Sequence, residues 1–337
     1  MRRLALAWSI PGLCLAFATA GCGSSDSNPG IGPGGGDAGG ISSEASAEGG
    51  ANVGTIGPTG GTLSQLVFAV VGDTRPPTSD DLSGYPTAII TRIYEDVEAL
   101  KPHPPLVVST GDYQFSSTGS YSTAPQQIQL YMGARAKYSG AWFPAMGNHE
   151  CTGATASNCG PGTSHGTTAN YSAFLKTMLG PVQQTLPYYA IDVNAADGSW
   201  TAKFVMTAAN AWSSAQQTWL EQTMAKPTTY TFVFRHEPSY DNTAPGVTPI
   251  DDVLASSKYT MLIVGHSHTF ESTKSTHPVA LLGNGGAPLA SSAHSYGFGT
   301  FVQRADGAIV CDEVDYMTGA TDPGFHFVVK ADGTLTQ

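Results

Sequence analysis

The sequence predicts a domain of the α/β class over residues 63–337, and three features carry that expectation: short apolar runs bounded by Gly and Pro, intervening segments of helical period, and Asp-Gly pairs. The runs that read as strands are Leu66–Val71, Leu106–Ser109, Ala141–Ala145, Thr229–Phe234, Met261–Val264, Val279–Leu282, Gly299–Val302, Ala308–Cys311 and His326–Val329. Between them, apolar residues recur at i, i+3 and i+4 in four segments: from Ala88 to Leu100, from Ile128 to Met132, from Tyr171 to Leu179 and from Trp219 to Met224. That spacing lines one face of a helix, so the alternation builds βαβ units. Asp-Gly at 197–198, 306–307 and 332–333 supplies the positive φ angles of tight hairpins, which adds an antiparallel component toward the C-terminus.

Composition narrows the function. Lys and Arg number 15 against 26 Asp and Glu, a net charge of −11, with no basic run beyond Arg2-Arg3, so the chain lacks the clustered cations that a nucleic-acid partner requires. A hydrophobic content of 41%, including 13 Phe and 14 Tyr, supplies a packed interior and excludes wholesale disorder.

Residues 1–22 read as an export signal: charge at Arg2-Arg3, an apolar run from Leu4 to Ala20 interrupted by Pro11, then small residues. Ala18-Thr19-Ala20 fits a small-x-small cleavage site. Thr19-Ala20-Gly21-Cys22 resembles a bacterial lipobox with Thr in place of the usual Leu, and this second reading is favoured. The expected protein is therefore exported, either secreted or held in the cell envelope through a lipid on Cys22, its one expected membrane contact. Residues 23–62, rich in Gly and Ser, bury too little to offset their ordering entropy and read as a flexible spacer. Cys151 and Cys159 share a polar loop and are expected to pair, whereas zinc ligation would need two further ligands from elsewhere; Cys311, in an apolar stretch, reads as a buried strand residue.

Five of the strands end in residues able to bind metal or move protons. Leu66–Val71 leads to Gly72-Asp73-Thr74-Arg75, the second strand to Gly111-Asp112, the third to Gly147-Asn148-His149-Glu150, the fourth to His236, and the fifth to Gly265-His266-Ser267-His268. Ligands of open α/β sheets sit outside the carboxyl ends of the strands, so the five loops are expected to converge on one site. Two carboxylates, imidazoles and an amide oxygen, without a thiolate, suit hard or borderline divalent and trivalent metals.

These blocks resemble the calcineurin-like metallophosphoesterases, and most closely their purple-acid-phosphatase-like branch, through Asn148-His149-Glu150 and the Phe270-Glu271 after the last histidine. The resemblance spans about Leu66 to Glu271. It implies a four-layer sandwich of two mixed β-sheets flanked by helices, a centre of two metal ions (Fe, Zn or Mn), and hydrolysis of a phosphate-ester small molecule. Residue by residue, it implies Asp112 as the bridging carboxylate, Asp73 and His268 on one metal, and Asn148, His236 and His266 on the other. His149 would face the substrate.

Two positions depart from the family. Arg75 stands where a metal-binding histidine is common, and Phe115 where the purple branch has a tyrosine; neither side chain ligates a metal. Tyr113, His165, His294 and Tyr296 are the side chains that could complete the first site instead. Arg75 is expected either to clamp a phosphoryl oxygen or to order its loop through a salt bridge to Asp80 or Asp81. The expected activity is a phosphomonoesterase, with a phosphodiesterase or nucleotidase, a binding lipoprotein of weakened activity, or hydrolysis of a non-phosphate bond as the alternatives.

Overall fold

The apolar runs pair into two mixed β-sheets in a computed structural model that describes residues 54–336. The export signal expected at 1–22, with Cys22, and most of the 23–62 spacer lie outside the described residues. In chain order the strands are β1 (Gly54–Gly57), β2 (Gly60–Leu63), β3 (Val67–Val71), β4 (Leu106–Ser109), β5 (Ala141–Pro144), β6 (Tyr189–Ala195), β7 (Thr201–Met206), β8 (Tyr230–Phe234), β9 (Met261–Val264), β10 (Phe270–Thr273), β11 (Val279–Leu282), β12 (Gly297–Gln303), β13 (Ile309–Asp315) and β14 (Phe327–Val329). The α-helices are α1 (Thr87–Ala99), α2 (Ala124–Arg135), α3 (Ala169–Ala173), α4 (Ser214–Met224) and α5 (Val247–Ala255).

One sheet runs β14-β13-β12-β3-β4-β5 and the other β1-β2-β6-β7-β8-β9-β11-β10. Within the first, β3, β4 and β5 are parallel; within the second, β7, β8, β9 and β11 are parallel. Each of these sets therefore presents its carboxyl ends along one edge. The two sheets pack face to face through aromatic side chains: Phe68 of β3 meets Phe204 of β7 at 5.0 Å and Phe232 of β8 at 4.9 Å, edge to face. Helix α1 buries Ile90, Ile93, Tyr94 and Val97 in the same core as β3 and β4 and packs beside α2; of the expected stripe Ile93 and Val97 face inward, while Ala88 is exposed and Ile90 and Tyr94 take the remaining buried positions. On the other side, α4 and α5 bury Leu220, Val247, Ile250 and Leu254 against Val205, Val233 and Leu262. Helices, sheet, sheet and helices make the four expected layers, and no described helix is long and apolar enough to cross a membrane.

The structure departs from the sequence reading at four places, one of them β10, an edge strand paired antiparallel with β11 that is additional to the expected runs. Gly54–Leu63, expected to belong mostly to the spacer, form a hairpin whose second strand pairs in parallel with β6. Its Gly-Thr composition hides it, because only Ile56 and Leu63 give it an apolar anchor and main-chain pairing supplies the rest. Strands β6 and β7 flank the predicted Asp197-Gly198 turn and are additional to the strands expected from apolar runs. Helix α5 is likewise additional: it is short and carries Pro249 in its first turn, which masks its period. Cys151 and Cys159 form the expected disulfide, and Cys311 is buried in β13.

Candidate metal centre

The loops after β3, β4, β5, β8 and β9 meet at the carboxyl edges of the two sheets. The first sheet delivers Asp73, Asp112 and Asn148; the second delivers His236, His266 and His268. Ligand atoms of Asp112, His236 and His266 lie within 4.8 Å of one another, as do those of Asp73, Asp112 and His268. Asp112 alone belongs to both groups. Asp73, Asp112, Asn148 and His236 are buried, and His266 and His268 are partly exposed.

Backbone conformation aims these side chains. Asp73, Asp112, His266 and His268 have φ of 57°, 59°, 73° and 49°, the left-handed region that costs a side-chain-bearing residue free energy. Leaving each strand this way swings the side chain off the sheet toward the common centre. Close approach supplies the rest: a Cβ on Gly147 would meet Asp112 Oδ1 and lie 2.7 Å from its amide nitrogen, while one on Gly265 would meet Asp73 Oδ2.

Hydrogen bonds on the far side of each imidazole decide which nitrogen faces inward. His236 Nδ1 donates to the Thr110 carbonyl at 3.0 Å and His268 Nδ1 to the Pro288 carbonyl at 2.8 Å, so both present Nε2 to the centre. His266 is reversed: its Nε2 meets Asp241 Oδ2 at 2.7 Å, leaving Nδ1 inward. Asn148 Nδ2 donates to the Gly153 carbonyl, which turns Oδ1 inward. Asn148 Oδ1, His236 Nε2 and His266 Nδ1 are then 3.1 Å from each other, three atoms able to donate electron pairs that face one point. Such an arrangement fits a cation.

Charge says the same. Burial pushes the Asp73 carboxyl up to about 8, with Asp112 adding to the shift against the opposing pull of His236. His236, although burial acts to neutralise it, is held well above its usual range by Asp112 and Asp73. Buried carboxylates at this point demand positive charge, and two cations would supply it. Their ligands would be Asp73, Asp112 and His268 for one, and Asp112, Asn148, His236 and His266 for the other.

Arg75, Phe115 and His149 line the approach. The Arg75 guanidinium lies over the Phe115 ring at 4.9 Å, and His149 packs edge-on against the same ring at 4.6 Å. Arg75 Nε is buried without a hydrogen-bond partner, 3.8 Å from Asp112 Oδ2. The loop-ordering salt bridge expected with Asp80 or Asp81 does not form. Asp80 instead accepts from Ser116, Ser117 and Thr123, tying the 76–85 and 116–123 loops together, and Asp81 accepts from Ser83 and Gly84. Burial lowers the His149 pKa to about 4, against the pull of Asp112 and with help from Arg75, so the ring is neutral at pH 7.

None of the four expected substitutes reaches the first metal site. Tyr113 is buried and bonded to the Ser109 and Ala145 carbonyls; His165 faces Asn158 and Ser164; His294 pairs with Asp322; Tyr296 packs on Tyr316. Three contributors are visible only in the structure. Glu150 accepts from the amides of Asp112, Tyr113 and Gly147 at 2.8–2.9 Å and so holds two ligand loops together. The loop after β11 donates Gly285 N to Gly72 O and Ala287 N to Asp73 O, and supplies the Pro288 carbonyl. Asp241 backs His266. Apart from the Gly147–Glu150 bond, which has the i, i+3 spacing of a capping box, no linear spacing signals these contacts, which depend on tertiary approach.

Several solved structures share this architecture. The anchor of the inner membrane complex of Plasmodium aligns with a TM-score of 0.57 at 16% identity, covering 81% of this chain and 90% of that one. A purple acid phosphatase from yellow lupin aligns at 0.53 and 16%, covering 79% of this chain and 55% of the enzyme. A dimetal phosphatase from Danio rerio aligns at 0.52 and 12%, covering 79% and 99%. Identities this low establish the fold, and among the curated proteins none matches. Residues 66–270, more than half of the chain and the stretch that contains all six converging side chains, match the calcineurin-like phosphoesterases, and the protein belongs to that hydrolase family.

Proposed function

We propose that the protein is an exported, two-metal phosphomonoesterase. The observation that carries the reading is the convergence of Asn148 Oδ1, His236 Nε2 and His266 Nδ1, beside two buried carboxylates, with each outward ring nitrogen already bonded. Bound there, two cations supply Lewis acidity toward phosphoryl oxygens and make a water nucleophilic near neutral pH. Arg75 binds a phosphoryl oxygen: its guanidinium rests over the Phe115 ring, and like charge beside the metals is tolerated once an anion lies between them. This additional cation favours a terminal phosphoryl dianion, where a diester would carry a second substituent in place of a charged oxygen. His149, neutral through burial, serves as an N–H donor that orients the phosphoryl group.

Export, with a lipid on Cys22, is part of the proposal. The N-terminal residues support it, as does the Cys151–Cys159 disulfide, a bond of oxidising compartments. The test is turnover of 4-nitrophenyl phosphate and bis(4-nitrophenyl) phosphate with Mn²⁺ or Zn²⁺. Faster monoester turnover, abolished by chelator, is expected; retention of phosphate without turnover of either ester would leave a binding protein.

A further inference from the structure

We infer that Asp241 is a positioning residue that fixes His266 for the second metal, an inference that rests on the two-metal reading above. Three observations carry it. His266 is the one inward histidine backed by a carboxylate, at 2.7 Å, whereas His236 and His268 are backed by main-chain carbonyls. A charged acceptor on Nε2 fixes the proton there and leaves the Nδ1 pair free, and it pushes electron density toward that nitrogen. His266 sits at φ 73°, its side chain is 17% exposed, and its amide donates to Asp73, which secures the backbone, while Asp241 makes the hydrogen bond on the ring's outward nitrogen.

The segment that bears Asp241 is itself anchored at both ends. Arg235, fully buried, bonds the Glu237 and Val247 carbonyls, Ser239 Oγ and Asp251 of α5, and so clamps the start of the 237–246 loop to the helix at its end. Next to Asp241, the Tyr240 hydroxyl meets Ser267 Oγ at 2.6 Å, between the two histidines of the β9 loop. Asp241 is thereby delivered to His266 from a framework that contains no metal ligand beyond His236.

The test is titration of metal-free protein with Zn²⁺ against a chromophoric chelator, with circular dichroism to confirm folding. Asp241→Ala is expected to weaken one of the two ions by about 10- to 100-fold and leave the other within a few-fold of the parent. Asp241→Asn keeps an oxygen that accepts from Nε2, so it should recover most of that loss. Tyr240→Phe, which removes the neighbouring tether and keeps the carboxylate, should bind both ions as the parent does. Two ions bound with parental affinity by Asp241→Ala would overturn the inference and leave the two-metal reading intact. Equal weakening of both ions, or a loss in Tyr240→Phe as large as in Asp241→Ala, would reduce Asp241 to general loop support and likewise overturn it. Failure of the parent protein to bind two ions would instead remove the two-metal reading, and the inference with it.

Discussion

Replacing Glu150 by Gln tests whether one buried carboxylate holds the metal loops in place. Oε2 accepts from Asp112 N at 2.9 Å and Gly147 N at 2.8 Å, and Oε1 from Tyr113 N at 2.9 Å. A glutamine can present its oxygen to only one of these positions. The better choice keeps the pair at Oε2 and turns the amide nitrogen toward Tyr113 N, donor against donor. An orphaned buried N–H costs about 1–3 kcal/mol, and the two retained bonds, no longer charge-assisted, weaken by roughly 1 kcal/mol each. Relief of repulsion from Asp112 offsets part of this, since burial and that charge push the Glu150 carboxyl up to about 7. A net loss of about 2–4 kcal/mol corresponds to a melting temperature lower by roughly 3–7 °C for a domain of this size. The assay is differential scanning calorimetry at pH 8, where the parent carboxyl is ionised, with metal content measured on the same samples. Asp112 and the Asn148 loop both hang from Glu150, so metal affinity should fall together with the melting temperature. An unchanged melting temperature and two ions at parental affinity would refute the reasoning, and a lower melting temperature with unchanged metal binding would confine Glu150 to stability.

Four further outcomes are expected. Asp112→Ala should lose most bound metal and all turnover, because its ligand atoms serve both groups, while Asn148→Ala loses less; elemental analysis reads both. His149→Ala should keep its metal and lower kcat by about 10²–10⁴, equally for good and poor leaving groups, because a neutral donor orients the phosphoryl group rather than protonating the departing oxygen. Arg75→Ala should raise KM and weaken inhibition by inorganic phosphate at unchanged metal content, and unchanged phosphate inhibition would remove the clamp. Burial, with Asp322 and Asp315 nearby, pushes Glu313 from its usual 4.5 to about 8 against the bond from Asn284. The folded state therefore holds a proton that the unfolded state releases between those values, and stability from this group is lost as pH rises through that window. Glu313→Gln should flatten the fall by about 3–5 kcal/mol, read from melts at pH 5 and pH 8.5, and an unaltered slope would count against it.

Much of the candidate centre is legible in the sequence because each converging side chain lies at the end of an apolar strand, where a linear pattern and a three-dimensional position coincide. Asp73, Asp112, Asn148, His236, His266 and His268 all stand at such ends. Asp241 does not, since its partner His266 lies 25 positions away across a loop with no periodicity. The first hairpin is hidden for a related reason: Gly54–Leu63 carries almost no apolar signal, and its place in the sheet is settled by main-chain bonds to β6. Arg75 is recognisable as a departure, yet its real neighbours, Phe115 and Asp112, come from a different loop than the acids closest in sequence.

The even division of the ligands between the sheets, three from each, has a consequence for assembly. Asp73 and His266, 193 residues apart, touch only when both halves of the sandwich have folded and closed on each other, so no half-formed intermediate can present the complete set. An ion seated there staples the two halves, and at a concentration a thousand times its dissociation constant it adds about 4 kcal/mol against their separation. For a chain proposed to be exported, metal loading would then favour the closed sandwich over partly assembled states.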